Sequence, residues 1–222
     1  LVGSEWSPLR DEEQLPVLAG STKGYPGESL VAALPGDEYW SSDYGRGGVL
    51  GRVRAVGEYQ GDLVIAGQFY YAGSTPAQNI ARWDGSNWQA FGGGVGCSDE
   101  LSSISALVEF EGKLIVAGIR LGRAGADTVL GMQAAYWDGA AWHAMSAGDV
   151  AGTVYDIEIY NGQLYVGGTF GSGSDQEGLA RWDGSGWRSV GASFLDGWDL
   201  LVKDGRLLVA AGQVYAWDGS TW

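Results

Sequence analysis

The sequence of 222 residues has one cysteine, one histidine and five prolines. The single cysteine, Cys97, excludes an intrachain disulfide and a cysteine-based metal cluster. The single histidine, His143, has no second histidine with which to hold a metal, and no nucleophile signature or phosphate-binding loop accompanies it. These absences predict that the chain carries no enzyme active site.

Positive charge is also scarce, since 13 Lys and Arg residues stand against 27 Asp and Glu residues, for a formal net charge of −14. A field of this sign repels phosphate backbones and anionic lipids, so we expect no nucleic-acid partner. No apolar run is long enough to span a bilayer, which predicts no membrane insertion. The chain starts at Leu1 without Met and without a signal-peptide pattern, so we expect a removed leader or a piece of a longer protein.

Glycine and aromatic residues are abundant instead, with 39 Gly, 11 Trp and 11 Tyr, and they recur in a repeat. Residues 161–187, NGQLYVGGTFGSGSDQEGLARWDGSGW, contain a tight turn, an apolar strand and a second strand that ends in WDGxxW. Related segments are QGDLVIAG with ARWDGSNW, EGKLIVAG with AYWDGAAW, and DGRLLVAA with YAWDGSTW. The turn glycines Gly61, Gly112, Gly162 and Gly205 are 51, 50 and 43 residues apart, which is typical of propeller blades.

The repeat predicts an all-β chain folded as a β-propeller with about four blades, each a four-stranded antiparallel sheet. Its first strands are expected at 53–59, 104–110, 154–160 and 198–203, in blades covering 53–103, 104–153, 154–197 and 198–222. We expect residues 40–52 to supply a closing strand, and 1–39 to form an irregular N-terminal arm or a degenerate blade. Two arrangements stay open: a closed four-bladed ring joined through its termini, or a fragment of a larger propeller.

The WDGxxW segments are interpreted as structural hairpin loops. The aspartate can accept backbone N–H groups, the glycine can take the left-handed conformation, and the two indoles can pack across the hairpin. The residues assigned to this structural motif are Trp83, Asp84, Trp88, Trp137, Asp138, Trp142, Trp182, Asp183, Trp187, Trp217, Asp218 and Trp222.

The segments GQLYVGGTF with LARWDGSGW, and DLVIAGQF with IARWDGSNW, resemble the WDG-type, kelch-like propeller repeats of bacterial secreted and cell-surface proteins. Similar repeats occur in fungal cortical polarity-marker proteins. The resemblance covers residues 40–222 and implies a secreted or surface-displayed protein. A second resemblance, to the six-bladed fucose-binding lectins, is limited to the Trp pairs, because the Arg and Glu of those lectins are missing from the neighbouring strands.

The connections between the second strand and the first Trp of the motif differ in length from blade to blade. They measure 16 residues from Gly67 to Trp83, and 19, 14 and 6 in the later blades. In a propeller these loops share one face with the connections between blades, and binding residues concentrate on loops held by a rigid scaffold. We therefore predict partner binding at this long-loop face, through the candidate residues Tyr70, Tyr71, Arg120, Arg123, Asp175 and Glu177.

The predicted function is a non-enzymatic binding or scaffolding propeller that engages a protein or glycan partner, with other segments of a longer parent chain as further candidate partners. No cofactor is expected, although Asp175 and Glu177 offer oxygen ligands of the kind that Ca²⁺ takes. Two alternatives remain at this stage. One is a carbohydrate-binding propeller lectin, and the other is a non-catalytic part of a larger secreted enzyme.

Overall fold

The computed structural model describes residues 48–96, 102–125, 127–128, 133–145, 152–170, 177–191 and 196–222. All of them belong to one compact unit, Ser41–Trp222. The predicted arm or degenerate blade, 1–39, and the predicted closing strand up to residue 47 lie outside the described residues. The described residues form strands, turns and bends without a helix, which confirms the all-β prediction. None of them forms a helix that is long and apolar enough to cross a membrane.

Four antiparallel sheets follow one another along the chain, each with its strands in sequence order. The first strands are β1 (Val49–Tyr59), β6 (Ser103–Phe110), β12 (Gly152–Tyr160) and β16 (Asp199–Lys203). The second strands are β2 (Asp62–Ala72), β7 (Lys113–Ile119), β13 (Gln163–Phe170) and β17 (Arg206–Ala210). The third strands are β4 (Ile80–Trp83), β10 (Ala134–Trp137), β14 (Glu177–Trp182) and β18 (Val214–Trp217). The fourth strands, present in the first three sheets, are β5 (Trp88–Ala90), β11 (Trp142–Ala144) and β15 (Trp187–Ser189). The connections contain the short strands β3 (Thr75–Pro76), β8 (Arg123–Ala124) and β9 (Asp127–Thr128).

One strand start differs from the sequence-based expectation. β1 begins at Val49, ahead of the expected start at Val53, because β2 runs on to Ala72 and pairs with the earlier residues of β1. Residues 49–52 therefore belong to the first strand. In the fourth sheet, no strand begins at Trp222, so the described sheet has three strands.

The turn between the first and second strands has the same conformation in every sheet. In the third sheet Asn161 and Gly162 have φ values of 50° and 71°, so both central residues lie in the left-handed region. This is the two-residue turn whose twist matches that of antiparallel strands, and glycine at its second position avoids steric cost. The turns at 60–61, 111–112 and 204–205 have positive φ at both residues as well.

The second strand of each of the first three sheets separates two layers of the core, because its side chains alternate between faces. In β7, Leu114 and Val116 join the cluster between the first and second sheets. Ile115 and Ala117 join the cluster between the second and third sheets. The pattern extends to the third and fourth sheets, where residues of β13 and β17 form a further cluster. The near-continuous apolar runs of β2, β7 and β13 follow from this burial on both faces.

The first strands pack in series, β1 against β6, β6 against β12, and β12 against β16. Within the described part of the chain, no comparable packing joins the fourth sheet to the first. The outward face of the fourth sheet carries Leu201 and Val214, with 54% and 70% of their surfaces exposed. The described residues therefore form an array of four sheets, and ring closure is not seen among them.

Candidate binding site at the loop end

The WDGxxW segments close the hairpins between the third and fourth strands. In the third sheet, Asp183 Oδ1 accepts hydrogen bonds from the backbone N–H groups of Ser185 and Gly186, both at 2.8 Å. Gly184 has a φ of 96°. The indole centroids of Trp182 and Trp187 are 5.2 Å apart. These contacts occupy the motif within its own hairpin and leave it little capacity to recognise a ligand.

The same turn geometry recurs in the other sheets, and it changes the ionisation of the aspartates. Asp84, Asp138 and Asp218 each accept two backbone N–H groups of their own turn. These hydrogen bonds stabilise the carboxylate form, so they lower the pKa of Asp138 and of Asp183 to about 2. The pKa values of Asp84 and Asp218 are lowered by the same cause. All four aspartates are thus charged structural acceptors at neutral pH.

In the second and third sheets, the second tryptophan of the motif also connects the sheet to the one before it. The indole N–H of Trp142 donates to the Phe91 carbonyl at 3.1 Å, and that of Trp187 donates to the Met145 carbonyl at 2.9 Å. Both acceptors directly follow the fourth strand of the preceding sheet. Both indoles are buried, at 3% and 1% exposure. The tryptophan therefore stabilises the stacking of the sheets as well as the hairpin.

His143 lies beside one of these turns. Its Nε2 is 2.7 Å from Asp138 Oδ2, and its ring stacks on Tyr136 with centroids 4.8 Å apart. Among the described residues, no group of three or more His, Cys, Asp or Glu side chains is placed to hold a metal ion. The contacts of His143 are those of a residue that supports the exposed Asp138 turn.

The array has two different ends. One is the short-turn end, which comprises the turns at 60–61, 111–112, 161–162 and 204–205 and the four WDGxxW loops. Contacts between sheets stabilise this end, as where the Tyr160 hydroxyl donates to the Gly205 carbonyl at 2.9 Å. The loop end is the opposite end, where β2, β7, β13 and β17 finish and β6, β12 and β16 begin. This is the end at which the sequence predicts partner binding.

The structure brings two of the predicted binding residues together at the loop end. Tyr70, with 40% of its surface exposed, and the exposed Arg120 line the same cavity between the first and second sheets. Tyr71 is exposed too, but it does not line this cavity. Arg123 starts β8, and its guanidinium donates to the Gly93 carbonyl at 3.3 Å, which supports a connection between sheets.

The two predicted acidic residues contribute less to the described site. Asp175 lies outside the described residues. Glu177 begins β14 and pairs with Phe170, and only its backbone position is described. The suggested pair of calcium ligands therefore includes a residue that lies outside the described part of the chain.

A pair of stacked aromatic residues at the loop end was not predicted. The rings of Tyr155 and Trp198 lie parallel, with centroids 4.7 Å apart and an interplanar angle of 8°. Trp198 is 55% exposed, unlike the buried second tryptophans of the first three WDGxxW motifs. An exposed, flat indole that is held by a second ring is a suitable platform for a ligand with an apolar face.

Tyr155 and Trp198 occupy the same position in their repeats, and polar residues occupy this position in the first two sheets. The first three sheets have a β-bulge in the first strand, with register shifts at Val53/Ala55, Ile104/Ala106 and Val154/Asp156. The residues at the bulges are Arg54, Ser105 and Tyr155, and Trp198 takes the corresponding place directly before β16. Sequence comparison of the four first strands would have shown this variation, because strongly repeated core strands surround it.

In the third and fourth sheets, the residue after the bulge position is an aspartate. These residues are Asp156 and Asp199, and their carboxyl groups are neighbours. Asp156 Oδ2 accepts the Leu200 N–H at 2.7 Å, and Asp156 Oδ1 accepts the Ile157 N–H at 2.8 Å. Burial, with a smaller contribution from the neighbouring Asp199 carboxyl, raises the pKa of Asp156 to about 6, although these hydrogen bonds lower it. Because both oxygens of Asp156 bind backbone, this carboxyl connects the third and fourth sheets and is poorly placed for chemistry on a ligand.

Comparisons with known proteins give no information about the function of this site. No family model matches the sequence, and no curated protein matches it. Among solved structures, the chain is similar to the computationally designed Ika8 protein, with 13% identity over 78% of this chain and 74% of that chain and a TM-score of 0.29. A TM-score this low carries no argument about fold or function.

Proposed function

We propose that this chain is a non-enzymatic binding protein, built as a β-propeller-like array of about four blades, that presents its loop end to a glycan or protein partner. The serial packing of the first strands and the alternating burial of the second strands support the propeller architecture. We further propose that the protein is secreted or surface-displayed, by its resemblance to the WDG-type repeats.

The observation that carries this proposal is the difference between the two ends of the array. At the short-turn end, the tryptophans and aspartates are occupied by their own hairpins and by neighbouring sheets. At the loop end, the exposed Tyr70 lines an arginine-lined cavity between the first and second sheets, and the exposed Trp198 stacks on Tyr155. Exposed aromatic and Arg side chains on a rigid scaffold are the residues that most often anchor a partner.

A carbohydrate-binding function is favoured as the more specific form of this proposal. The stacked Tyr155 and Trp198 pair offers the aromatic surface that a sugar ring requires. The tryptophans of the WDGxxW motifs do not offer it in the first three sheets, because the second indole of each is buried. The Tyr155 and Trp198 stack therefore offers the kind of aromatic surface that the resemblance to the fucose-binding lectins places at the tryptophans of the WDGxxW motif.

A glycan array combined with affinity capture of protein partners tests the proposal. Tyr70→Ala and Trp198→Ala should each weaken binding to the captured ligand while the thermal midpoint changes little. Leu201→Ala is the matched control, because it removes an exposed apolar side chain from the strand that follows Trp198 without touching the loop end. If Leu201→Ala abolishes binding and both loop-end variants retain it, or if the intact protein binds nothing in either assay, the proposal is wrong.

A further inference from the structure

A cavity of about 710 Å³ at the loop end has a lining that differs in charge from the rest of the protein. The lining residues that matter here are Arg52 and Arg54 from β1, Gln68 and Tyr70 from β2, and Ser103 and Arg120 from the second sheet. Its volume is within the range of about 300 to 1000 Å³ that small-molecule sites occupy. The cavity can thus hold a short oligomer, and it is too small for a folded partner.

The cavity concentrates positive charge in a strongly acidic protein. Three of its lining residues are arginines, and none is an aspartate or glutamate, whereas the whole chain has a formal net charge of −14. Arg52 and Arg54 are exposed, and their guanidinium groups make no hydrogen bond or ion pair within the described ranges. Arginine stays charged at any ordinary pH and matches a carboxylate with two parallel N–H donors.

The backbone of β1 around Arg52 and Arg54 has two register shifts, whereas the first strands of the next two sheets have one each. Register shifts at Leu50/Gly51 and at Val53/Ala55 lie on either side of Arg52. The second shift recurs in the next two sheets, but the first occurs among the described first strands only in β1. Gly51 has a φ of 141°, and a Cβ there would overlap the Gln68 carbonyl oxygen. Bulges of this kind re-aim side chains beside binding sites.

We propose that this cavity binds an acidic saccharide, a short oligosaccharide whose rings carry carboxylates. The guanidinium groups of Arg52, Arg54 and Arg120 pair with the carboxylates, and the ring of Tyr70 packs against the apolar face of a sugar ring. Gln68 and Ser103 bring neutral polar groups of the kind that bind sugar hydroxyls. This inference rests on the proposed function, because it names the ligand class of the same loop end.

A saccharide fits this lining better than an acidic peptide does. A peptide carries its carboxylates on flexible side chains, so it loses more conformational freedom when they pair with fixed guanidinium groups. A sugar acid holds its carboxylate rigidly on a ring, and the same ring offers a flat apolar face to Tyr70. One rigid unit therefore satisfies both the charge and the aromatic surface of the cavity.

Isothermal titration calorimetry with matched oligosaccharides tests the inference. The probes are tetragalacturonate, its fully methyl-esterified form, a sulfated tetrasaccharide and hexaglutamate. Tetragalacturonate should bind, and both the methyl ester and the Arg52→Gln/Arg54→Gln variant should lose about tenfold or more in affinity, since each removes charge-assisted hydrogen bonds. The affinity should also fall as salt is raised.

The control variant, Lys203→Gln/Arg206→Gln, removes the same amount of charge at the short-turn end, where both side chains are exposed. It should bind tetragalacturonate as the unmodified protein does. An equal loss in both double variants would show that only net charge matters and would overturn the inference. Binding of hexaglutamate or of the sulfated probe without tetragalacturonate would overturn the assignment to a carboxylated saccharide.

The outcomes also separate this inference from the proposed function. If the methyl ester binds as tightly as the acid, and Trp198→Ala abolishes binding of both, the loop end binds glycans and the charge-based inference fails. If no glycan or protein binds the intact chain in the array and capture assays, the proposed function fails first. Near-ultraviolet circular dichroism of each variant shows whether the packing of the aromatic residues is intact.

Discussion

At the scale of single residues, the two tryptophans of each WDGxxW motif have different roles. Trp182 is partly buried and packs on its hairpin partner, whereas Trp187 is buried and donates its indole N–H to Met145 of the preceding sheet. The identical residue type at the two positions hides this difference in the sequence. The second position contributes to both the hairpin and the stacking of the sheets.

This difference predicts unequal effects of conservative substitution. Trp187→Phe should lower the free energy of unfolding by about 2 to 4 kcal/mol, because it removes buried volume and leaves the Met145 carbonyl without its donor. Trp182→Phe is the matched control and should cost about 1 kcal/mol or less, since no indole hydrogen bond between sheets is lost. Urea denaturation measures both, and equal costs would contradict the role assigned to Trp187.

A second prediction at this scale concerns Asp156 and pH. Its pKa is raised to about 6 in the folded chain, above the ordinary value of 3.8. The folded state therefore binds the proton more tightly, and the stabilisation from this proton is complete below about pH 4 and lost as pH rises through 6. We expect the free energy of unfolding to fall by roughly 1 to 2 kcal/mol between pH 4.5 and 7, allowing for solvent screening.

Asp156→Asn provides the control for the pH dependence, because it removes the titrating group. Its unfolding free energy, measured in urea at intervals from pH 4.5 to 7.5, should lack this decline even if its absolute stability is lower. Asp199→Asn should reduce the decline without removing it, since Asp199 is a smaller cause of the raised pKa than burial. An unchanged slope in Asp156→Asn would assign the pH dependence to other groups.

At the scale of elements, the second strand of each of the first three sheets alternates between two layers of the core, whereas that of the fourth sheet has an outward face. Ile115 in β7 and Leu208 in β17 occupy the same repeat position, as their pairing registers show. Ile115 is 2% exposed and lies in the cluster between the second and third sheets. Leu208 is partly buried on the outward face of the fourth sheet, beside the exposed Leu201 and Val214.

Equivalent truncations at these two positions should therefore have different costs. Ile115→Ala should lower the free energy of unfolding by about 2 to 4 kcal/mol, because it creates a cavity between two packed sheets. Leu208→Ala should cost about 1 kcal/mol or less, since the site can relax towards solvent. Chemical denaturation of both variants tests this, and a Leu208→Ala cost as large as that of Ile115→Ala would show that the outward face is covered in solution.

At the scale of the whole molecule, the proposed function assigns stability and recognition to opposite ends of the array. The short-turn end contains the repeated hairpins and the contacts between first-strand turns, so its residues are committed to the fold. The loop end holds the arginine-lined cavity and the stacked Tyr155 and Trp198 pair. Substitutions can vary the second end while the repeated interactions of the first maintain the sheets, which is the usual division between a scaffold and its loops.

Much of the fold was predictable from the sequence because its determinants are local. The turn at Asn161-Gly162 depends on two adjacent residues with positive φ, and the WDGxxW loop depends on hydrogen bonds within four residues. The apolar runs and their spacing identified the second strands. The candidate site was predicted in part: Tyr70 and Arg120 line one cavity, but Arg52, Arg54, Tyr155 and Trp198 were not singled out.

The sequence by itself thus determined the strands, the hairpins and the repeat, since the interactions that specify them join residues close in the chain. Only the tertiary structure decided which side chains face a common cavity and which tryptophans connect sheets. The Trp187 hydrogen bond spans 42 residues of sequence, and that of Trp142 spans 51. The bulges that place Arg54 and Tyr155 depend on pairing with another strand. Such contacts follow from how the sheets stack, and a local pattern of residues does not encode them.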